Sequence, residues 1–413
     1  MKRLLAVSWE MPPLSGPRAV QVTRTLVALG ELGWRSRVVC FQPRSNRYQQ
    51  DYRVSLEEIS RGSAVRLPVP SPEEWLLFRL LWRAVPPLKH VPDEKIVWLP
   101  SALAEARRAL AAEPADVIIS FAQPWTDHLV ALRLHQETSV PWVAHFSDPW
   151  TDSPYQPMAG WFSGRRKRLE AEVIHEADAT VFVNDFTRDR VMQKYPDALR
   201  RRASVIPQGF APATPAAIAA GGPLRIVYTG RFYDGVRTPR SLIAAVAALH
   251  RDRPLTGKLE IEFVGSNMDG YARVADGLGL GDLVRFAGRR SPDEARASAE
   301  RGDVMLLIDA PSSGPSLFLP SKLIDYLPLR RPIFGITPIE GPSAELLRQL
   351  EYPVVAPDDE PGIRRVLAEL IDAKGSGRLA ASANHDAVAS RYSIAETSRQ
   401  FDELLQSVIG VTR

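Results

Sequence analysis

The chain has 413 residues, which is too long for one ordinary domain and predicts two domains of about 200 residues each. A hydrophobic fraction of 45% and a charged fraction of 24% are ordinary for a globular protein. The formal net charge is only +4 and no nucleic-acid-binding motif occurs in the sequence, so a nucleic-acid partner is not expected.

A single cysteine, Cys40, excludes an internal disulfide framework and is typical of a reducing compartment. It lies in the apolar run 38–41, which predicts a buried thiol rather than a nucleophile. The apolar run at the N-terminus is shorter than a signal peptide needs, and no window reaches the ~20 apolar residues of a membrane span. We therefore expect the protein in the cytoplasm.

The first half of the sequence alternates short apolar runs with helical patterns. Strands are predicted at residues 3–8, 37–41, 116–120, 141–146 and 179–184. The first helix is predicted at residues 17–30, with Pro17 near its first position. Such alternation predicts a parallel sheet with helices on both faces.

The second half repeats this pattern. Strands are predicted at residues 225–229, 259–265, 284–288, 304–309, 332–337 and 353–356, and helices at 239–251, 292–301 and 342–350. Residues 209–222 between the halves are Pro- and Gly-rich and aperiodic, as in a linker. The sequence thus predicts an α/β protein with two doubly wound, Rossmann-like domains at 1–208 and 223–390. Two such domains are expected to face each other across a ligand-binding cleft.

Three residues of the first half are candidate site residues. Gly16 precedes the first helix and would let a backbone N–H approach an anion, although a plain tight turn explains it equally well. His145 and Asp148 follow the predicted strand 141–146, where they could orient an acceptor hydroxyl or take its proton. Asp148 could instead cap a turn before Pro149.

In the second half, Gly230, Arg231 and Arg237 lie in a loop between a predicted strand and a helix. Two arginines around such a loop suit contact with a diphosphate, whose charge grows as a glycosidic bond breaks. The alternative is a surface loop. The sequence has neither Asp-x-Asp nor a His/Cys cluster at metal-ligand spacing, so no catalytic metal is expected.

The segment 320–327 predicts a loop followed by a short helix that begins near Ser321, itself a candidate donor-binding residue. Lys322 could meet a phosphate there, and Asp325 a sugar hydroxyl, a pairing that indicates a sugar nucleotide.

Residues 72–89 mix tryptophan, leucine and phenylalanine with arginine and lysine, a mixture typical of interfacial helices. This predicts contact with a membrane surface, and the alternative is a core helix with snorkelling arginines.

The segments 12–18, 141–150, 228–231 and 320–326, in this order, resemble motifs of GT-B glycosyltransferases of family 4. The similarity is to the bacterial branch that builds cell-surface polysaccharides and glycolipids. It implies a second domain that binds a nucleoside-diphosphate sugar and a first domain that binds a glycan or lipid-linked acceptor. Transfer would retain anomeric configuration without a metal, and residues 391–413 would form a helix that crosses back to the first domain.

The resemblance also implies roles for individual residues. Asp325 would bind the nucleotide ribose, Arg231 and Lys322 would stabilise the diphosphate, and the loop 313–317, with Gly314, would hold the donor sugar. His145 and Asp148 would act at the acceptor.

The sequence departs from the family pattern at four positions. Leu317 replaces a glutamate, Asp325 the commoner glutamate, Arg237 a lysine and Ser147 a histidine.

The resemblance as a whole predicts a glycosyltransferase of cell-envelope or exopolysaccharide biosynthesis, peripheral to the inner face of the plasma membrane. The alternatives are a GT-B scaffold without transfer activity that binds sugar nucleotides as a partner subunit, and a GT-B nucleotide-sugar epimerase.

Overall fold

The computed structural model describes residues 2–44, 64–72, 75, 77–78, 80, 91–155, 160–215, 217–219 and 221–411. The chain divides into two compact units. Unit 1 comprises Met1–Gly209 and Ile394–Arg413, and unit 2 comprises Phe210–Ser393. The last segment of the chain therefore belongs to the same unit as the N-terminal half.

Within the described residues, unit 1 has a seven-stranded sheet in the order β3-β2-β1-β4-β5-β6-β7 with parallel pairing throughout. Its strands are β1 (Lys2–Val7), β2 (Trp34–Phe41), β3 (Ala64–Val69), β4 (Val117–Ala122), β5 (Trp142–Phe146), β6 (Ala179–Phe182) and β7 (Ala203–Val205). Every residue of the central strands β4 and β5 is buried, because helices cover both faces of a parallel sheet. The short strand β7 and the edge strand β3 were not predicted.

The helices of unit 1 connect these strands. They are α1 (Pro17–Glu31), α2 (Leu99–Ala112), α3 (Thr126–Thr138), α4 (Gly160–Glu176), α5 (Asp185–Met192) and α6 (Asp197–Arg200), and the last segment adds α14 (Ile394–Val411). Pro17 is the first residue of α1, where its missing N–H costs no hydrogen bond. The predicted strand 179–184 ends early because Asn184 caps α5, its side chain accepting a hydrogen bond from the Thr187 N–H at 2.9 Å.

Helix α14 completes the core of unit 1. Phe401, Leu405 and Val408 lie in one buried cluster with Leu4 and Leu26 of β1 and α1. Asp402 on the same helix accepts hydrogen bonds from Lys2 Nζ at 2.5 Å and from Trp34 Nε1 at 2.8 Å. The predicted return of the last helix to the first half of the chain is confirmed.

Unit 2 has, within the described residues, a six-stranded parallel sheet in the order β10-β9-β8-β11-β12-β13. The strands are β8 (Leu224–Arg231), β9 (Leu259–Ser266), β10 (Val284–Gly288), β11 (Val304–Ile308), β12 (Ile333–Ile336) and β13 (Val354–Val355). The helices are α7 (Arg240–Asp252), α8 (Asp269–Gly277), α9 (Pro292–Arg301), α10 (Ser321–Tyr326), α11 (Pro342–Gln349), α12 (Glu360–Gly375) and α13 (His385–Ala389). Both units thus have the predicted parallel α/β architecture.

Two further predictions concern single segments. Cys40 is buried in β2, as predicted, and burial raises the pKa of its thiol to about 11. Most of the predicted interfacial segment 72–89 lies outside the described residues. Among the helices of the described part of the chain, none combines the length and apolar character needed to cross a bilayer.

Candidate functional site

The strand order of unit 2 reverses at β8. From β8 the chain proceeds to β9 and β10 on one side, then returns to β11 and continues outward on the other. Ligands of open α/β sheets bind at such a switch point, beyond the carboxyl ends of the strands. A pocket of about 220 Å³ lies at this point. Its lining residues are Gly235, Val236, Thr238, Arg240, Ser241, Leu242, Ile308, Asp309, Pro311, Ile336 and Pro357.

Lys322 lies in the first turn of α10 and is directed at the end of β8. Its Nζ donates a hydrogen bond to Tyr228 Oη at 2.8 Å and lies 4.0 Å from the centroid of the same ring. Burial and the charge of Arg237 hold the pKa of Lys322 well below its usual range, and the Asp309 carboxylate opposes this shift. An anion at this site would therefore stabilise the charged ammonium.

Gly230 makes room for Lys322. A Cβ at this position would lie 2.5 Å from Lys322 Nζ, and the backbone φ of +145° is one that residues with side chains rarely adopt. Gly265 on β9 pairs with Gly230, and a Cβ there would overlap the Gly230 carbonyl oxygen. The two glycines therefore allow the ends of β8 and β9 to approach closely.

The two predicted arginines point to different places. Arg237 Nη2 donates to the Arg231 carbonyl at 2.8 Å, and its guanidinium lies 5.0 Å from the Tyr233 ring. Its Nε has no hydrogen-bond partner within the described residues. Arg231 is exposed and its Nε donates to Ser266 Oγ at 3.1 Å, at the end of β9. Arg237 is thus the arginine whose charge acts on Lys322.

The remaining predicted residues of unit 2 lie around α10. Ser321 is the first residue of this helix, and Asp325 lies on its exposed side, three positions after Lys322. Gly314 is exposed in the loop before α10, and its N–H is 3.5 Å from Ser312 Oγ.

Two contacts position this part of unit 2. The Ser316 N–H donates to the Glu340 carbonyl at 2.8 Å, which holds the loop 313–317 against the start of α11. Tyr326 Oη accepts a hydrogen bond from the Thr229 N–H at 3.0 Å, which ties α10 to β8. The helix is therefore fixed to the strand end that carries Gly230, and the loop is fixed to the segment between β12 and α11.

Asp309 was not identified from the sequence as a site residue. It follows β11, is buried and lines the pocket, and its Oδ2 accepts a hydrogen bond from Thr337 Oγ1 at 2.9 Å. Burial raises its pKa, whereas Thr337, Lys322 and Arg237 lower it. The signal was available, since a carboxylate at the carboxyl end of a predicted strand faces the ligand edge of a parallel sheet.

Unit 1 has a second polar cluster, centred on Arg18 in the first turn of α1. Arg18 is buried, and its guanidinium donates to the Ala122 carbonyl at the end of β4. Burial lowers the pKa of Arg18 to about 10, and the carboxylates of Asp148, Glu10 and Asp127 oppose that shift. The ends of β1, β4 and β5 therefore bring a cation and several carboxylates together.

Asp148 lies at this cluster, as its place after β5 predicts. Its Oδ2 accepts a hydrogen bond from Gln123 Nε2 at 3.1 Å, and Ser147 Oγ lies 3.1 Å from the same oxygen. Burial raises the pKa of Asp148, and Arg18 opposes the shift.

His145 is buried within β5. Its ring centroid lies 5.3 Å from that of Phe121 and 5.8 Å from that of Phe401. Burial, Arg18 and His128 hold its pKa well below the usual range, so the ring is neutral at pH 7. Its Nδ1 has no hydrogen-bond partner in the described part of the chain.

Gly16 has a specific neighbour. A Cβ at this position would overlap the Glu10 carboxylate. Burial raises the pKa of Glu10, and Arg18 opposes the shift. The anion position that Gly16 predicts at the start of α1 is thus occupied by a carboxylate of the chain itself.

Asp93 and Asp127 complete this cluster, and the sequence alone did not single them out. Asp127 is fully buried and accepts a hydrogen bond from the Trp9 N–H at 2.8 Å, while Asp93 accepts from the Thr126 N–H at 2.9 Å. Burial, with Asp93 adding repulsion, raises the pKa of Asp127 well above its usual range. Among the described residues, no group of three or more His, Cys, Asp or Glu could hold a metal ion.

A buried glutamate supports the chain just after Asp148. Glu170 accepts hydrogen bonds from the Thr151 N–H and Oγ1, each at 2.9 Å, and from Tyr195 Oη at 2.9 Å. Lys194 pairs with the same carboxylate. These contacts fix the segment that follows β5.

Known proteins resemble this chain in sequence and in structure. Residues 18–209 match the family model described as a glycosyl transferase 4-like domain. Among curated protein sequences, none matches significantly. Solved structures, in contrast, match over nearly the whole chain at low sequence identity.

Three of these structures illustrate the range of proteins that share the fold. The lipopolysaccharide outer core galactosyltransferase WaaB, in its apo form, is 14% identical with a TM-score of 0.62, and the match covers 98% of this chain and 99% of that one. A mutant of TarM from S. aureus in complex with fondaparinux, α-GlcNAc-glycerol and UDP is 9% identical with a TM-score of 0.65, covering 98% and 100%. UDP-GlcNAc 2-epimerase from Neisseria meningitidis, bound to UDP-GlcNAc, is 11% identical with a TM-score of 0.59, covering 98% and 100%.

At these identities the structural likeness establishes the fold, and the family match adds the class of enzyme. Both agree with the family resemblance that the sequence indicated. The chain therefore has the GT-B fold, and the match of residues 18–209 to the glycosyl transferase 4-like domain makes it a glycosyltransferase.

Proposed function

We propose that this glycosyltransferase moves a sugar from a nucleoside-diphosphate sugar to a glycan or lipid-linked acceptor in cell-envelope or exopolysaccharide biosynthesis, with retention of anomeric configuration and without a metal. The observation that carries this proposal is the pair of cations at the switch point of unit 2. Lys322 and Arg237 lie there beside Gly230, at the strand end where α/β sheets bind ligands.

The electrostatics of this pair favour a diphosphate. Two neighbouring cations repel each other, and the pKa of Lys322 is lowered by its burial and by Arg237. A diphosphate offsets both the repulsion between the two cations and the cost of burying the ammonium, because its oxygens accept charge-assisted hydrogen bonds from the ammonium and the guanidinium together. Its charge grows as the glycosidic bond breaks, so the same cations would lower the barrier to transfer.

The other residues take supporting roles in this proposal. Asp325 binds the nucleotide ribose, Arg231 adds a contact to the diphosphate, and the loop 313–317 holds the donor sugar. The UDP of the TarM complex and the UDP-GlcNAc of the epimerase structure support a nucleotide-sugar donor. Unit 1 binds the acceptor, with Asp148 and His145 at the polar cluster around Arg18.

Loss of the cations should weaken donor binding. A charged hydrogen bond to phosphate is worth ~1.5–3 kcal/mol, so Lys322→Met and Arg237→Met should each lower the affinity for the nucleoside diphosphate by about tenfold to a hundredfold. A thermal-shift screen of UDP, GDP, ADP, CDP and dTDP first identifies the base, and calorimetry then measures the affinity. Asp325→Ala and Arg231→Ala are measured in the same series.

The exposed Lys258 of unit 2 provides a matched control, and Lys258→Met should bind like the wild type. Unchanged affinity in both Lys322→Met and Arg237→Met would defeat the assignment of the diphosphate site. Transfer is then assayed with lipid-linked and glycan acceptors.

Nucleotide-sugar epimerisation is the second candidate, and the polar cluster of unit 1 favours it. Epimerisation needs several acids and bases, and the buried carboxyl groups of Glu10, Asp127 and Asp148 have raised pKa values. NMR spectra of the donor incubated without acceptor separate the two functions. An epimerase produces a new sugar nucleotide under these conditions, whereas a transferase does not.

We also propose that the protein works in the cytoplasm at the membrane surface. Trp75, Leu77 and Leu80, in the predicted interfacial segment, are exposed by 54%, 74% and 52%. Large apolar side chains grouped at the surface are typical of interaction sites, and a lipid-linked acceptor would place the reaction at a membrane.

A further inference from the structure

The switch-point pocket of unit 2 has one acidic side chain among its described lining residues, Asp309. Its walls are mixed: Val236, Leu242, Ile308, Ile336 and two prolines supply apolar surface, and Thr238 and Ser241 supply hydroxyl groups. Arg240 also lines the pocket, with its guanidinium 5.4 Å from the Tyr271 ring. At about 220 Å³ the pocket is smaller than the ~300–1,000 Å³ of whole-ligand sites, so it suits one ring of a larger ligand.

Asp309 is held firmly in this pocket. Its N–H donates to the Ile336 carbonyl at 2.9 Å, and its Oδ2 accepts from Thr337 Oγ1 at 2.9 Å. A carboxylate can accept about four hydrogen bonds, so Asp309 retains capacity to accept more. It can donate none while it is ionised, which makes it a selective partner for hydroxyl and ammonium groups.

The cations that lower the pKa of Asp309 are those of the proposed diphosphate site, whereas Arg240 of the lining is directed at the Tyr271 ring. Lys322 and Arg237 act on it electrostatically, as does the hydrogen bond from Thr337. When a diphosphate binds these cations, the Asp309 carboxylate is left beside a second anion. The part of the ligand that adjoins Asp309 must then donate hydrogen bonds, because another negative group there would be repelled.

The ring that adjoins Asp309 is the transferred sugar. Asp325, the proposed ribose ligand, lies on the exposed side of α10 and is not among the lining residues. Pro311 of the lining, in contrast, lies just before the loop 313–317, which is proposed to hold the donor sugar. The nucleoside therefore extends from the diphosphate away from the pocket, and the sugar extends along this loop into it. This step rests on the proposed donor function.

We propose that Asp309 selects donors whose transferred sugar is uncharged or carries an amine, and that it rejects donors of sugar acids. Its carboxylate accepts hydrogen bonds from sugar hydroxyls and repels the carboxylate of a hexuronate. Asp309 is thus a specificity-determining residue of the donor site.

Calorimetry with two donors that share the preferred base tests this proposal. The wild type should bind the nucleoside-diphosphate hexuronate at least about tenfold more weakly than the corresponding hexose, because like charges repel at close range. Asp309→Asn should bring the two affinities closer together. Asp282→Asn removes an exposed acid of the same unit and should keep the wild-type ratio.

The outcomes separate the two proposals. Equal affinity of the wild type for both donors would overturn the role of Asp309 and leave the diphosphate site intact. A wild type that binds no nucleoside diphosphate would overturn the donor function itself. The wild-type comparison requires no variant, so a folding defect in Asp309→Asn does not affect it.

Discussion

Lys322 donates a hydrogen bond to Tyr228 while its ammonium lies over the ring of the same tyrosine. Both contacts are with one side chain, and the nearby Arg237 adds repulsion. Burial is the largest cause of the lowered pKa, since water is lost around the charge. The ammonium is thus prepared to gain from an anionic ligand, which restores the charged state.

Diphosphate affinity should consequently fall as the pH rises through the lowered pKa of Lys322. The protonated ammonium attracts the diphosphate and the neutral amine does not, so binding is strongest on the acid side of that pKa. Lys322→Arg keeps its charge and should flatten the profile over the pH range above the last phosphate pKa of about 6, where the charge of the diphosphate no longer changes. Calorimetric titration of both proteins over this range measures the effect, and identical profiles would contradict it.

Residues of the site differ in how far the sequence could predict them. Lys322 and Asp325 belong to a motif of local sequence, so their place on α10 follows from a few neighbouring residues. Asp309, Glu10 and Asp127 acquire their significance from groups far along the chain, such as Lys322 for Asp309 and Trp9 for Asp127. A local sequence pattern cannot reveal such partners, because they lie far apart in the sequence and meet only when the strands pair.

At the scale of elements, the ends of β8 and β9 depend on two glycines. Gly230 and Gly265 are paired in register, and both have positive φ angles, +145° and +151°. Their missing side chains let one strand end pack against the other and leave space for Lys322. This strand edge therefore positions the proposed diphosphate site.

Gly265→Ala should destabilise unit 2 strongly. The new Cβ would overlap the Gly230 carbonyl oxygen, so the backbone must shift in addition to the cost of the unfavourable φ angle. Gly257→Ala is the matched control, because Gly257 has a φ of +75° and no neighbour within 4 Å. We expect Gly265→Ala to lose at least about 2 kcal/mol more than the control. Urea unfolding measures the difference, and equal losses would show that the strand edge relaxes freely.

The elements themselves were predicted unevenly. The central strand β11 is a continuous apolar run, and β4 and β5 each have a single polar residue in an otherwise apolar run, since helices cover both faces of the sheet. The edge strand β3 contains Pro68 and exposed residues, and β7 has three partly buried residues, so neither has a strong periodic signal. Boundaries shifted where a cap decided them, as Asn184 does for α5.

At the scale of the whole molecule, the two units differ in the number of chain segments that form them. Unit 2 is one continuous segment, whereas unit 1 needs α14 from the end of the chain. Phe401 and Leu405 of α14 are buried in the core of unit 1. Unit 1 therefore cannot complete its core until the last residues are present.

The exposed apolar side chains of the segment 72–89 concern how the whole molecule associates with a membrane. If the exposed side chains of the segment 72–89 enter the lipid interface, the wild type should float with anionic liposomes. Each buried large apolar side chain contributes about 1.5–3 kcal/mol, so Trp75→Ala with Leu77→Ala should reduce the bound fraction by at least about tenfold.

Ile339→Ala removes an equally exposed apolar side chain, 54% accessible, from unit 2 and should leave flotation unchanged. Failure of the wild type to float would end the proposal of a membrane contact and would not affect donor binding.

Local sequence was sufficient for the α/β class, the two sheets and the motif helix α10, because hydrophobic period, glycines and prolines act over a few residues. Folding in three dimensions was needed to bring Asp309 to Lys322, to place the Glu10 carboxylate at the start of α1 and to direct Arg237 rather than Arg231 at Lys322. These relationships depend on which strand ends become neighbours and on how far the side chains between them are shielded from water. Neighbourhood and shielding both arise from contacts between distant parts of the chain, which a local sequence pattern does not contain.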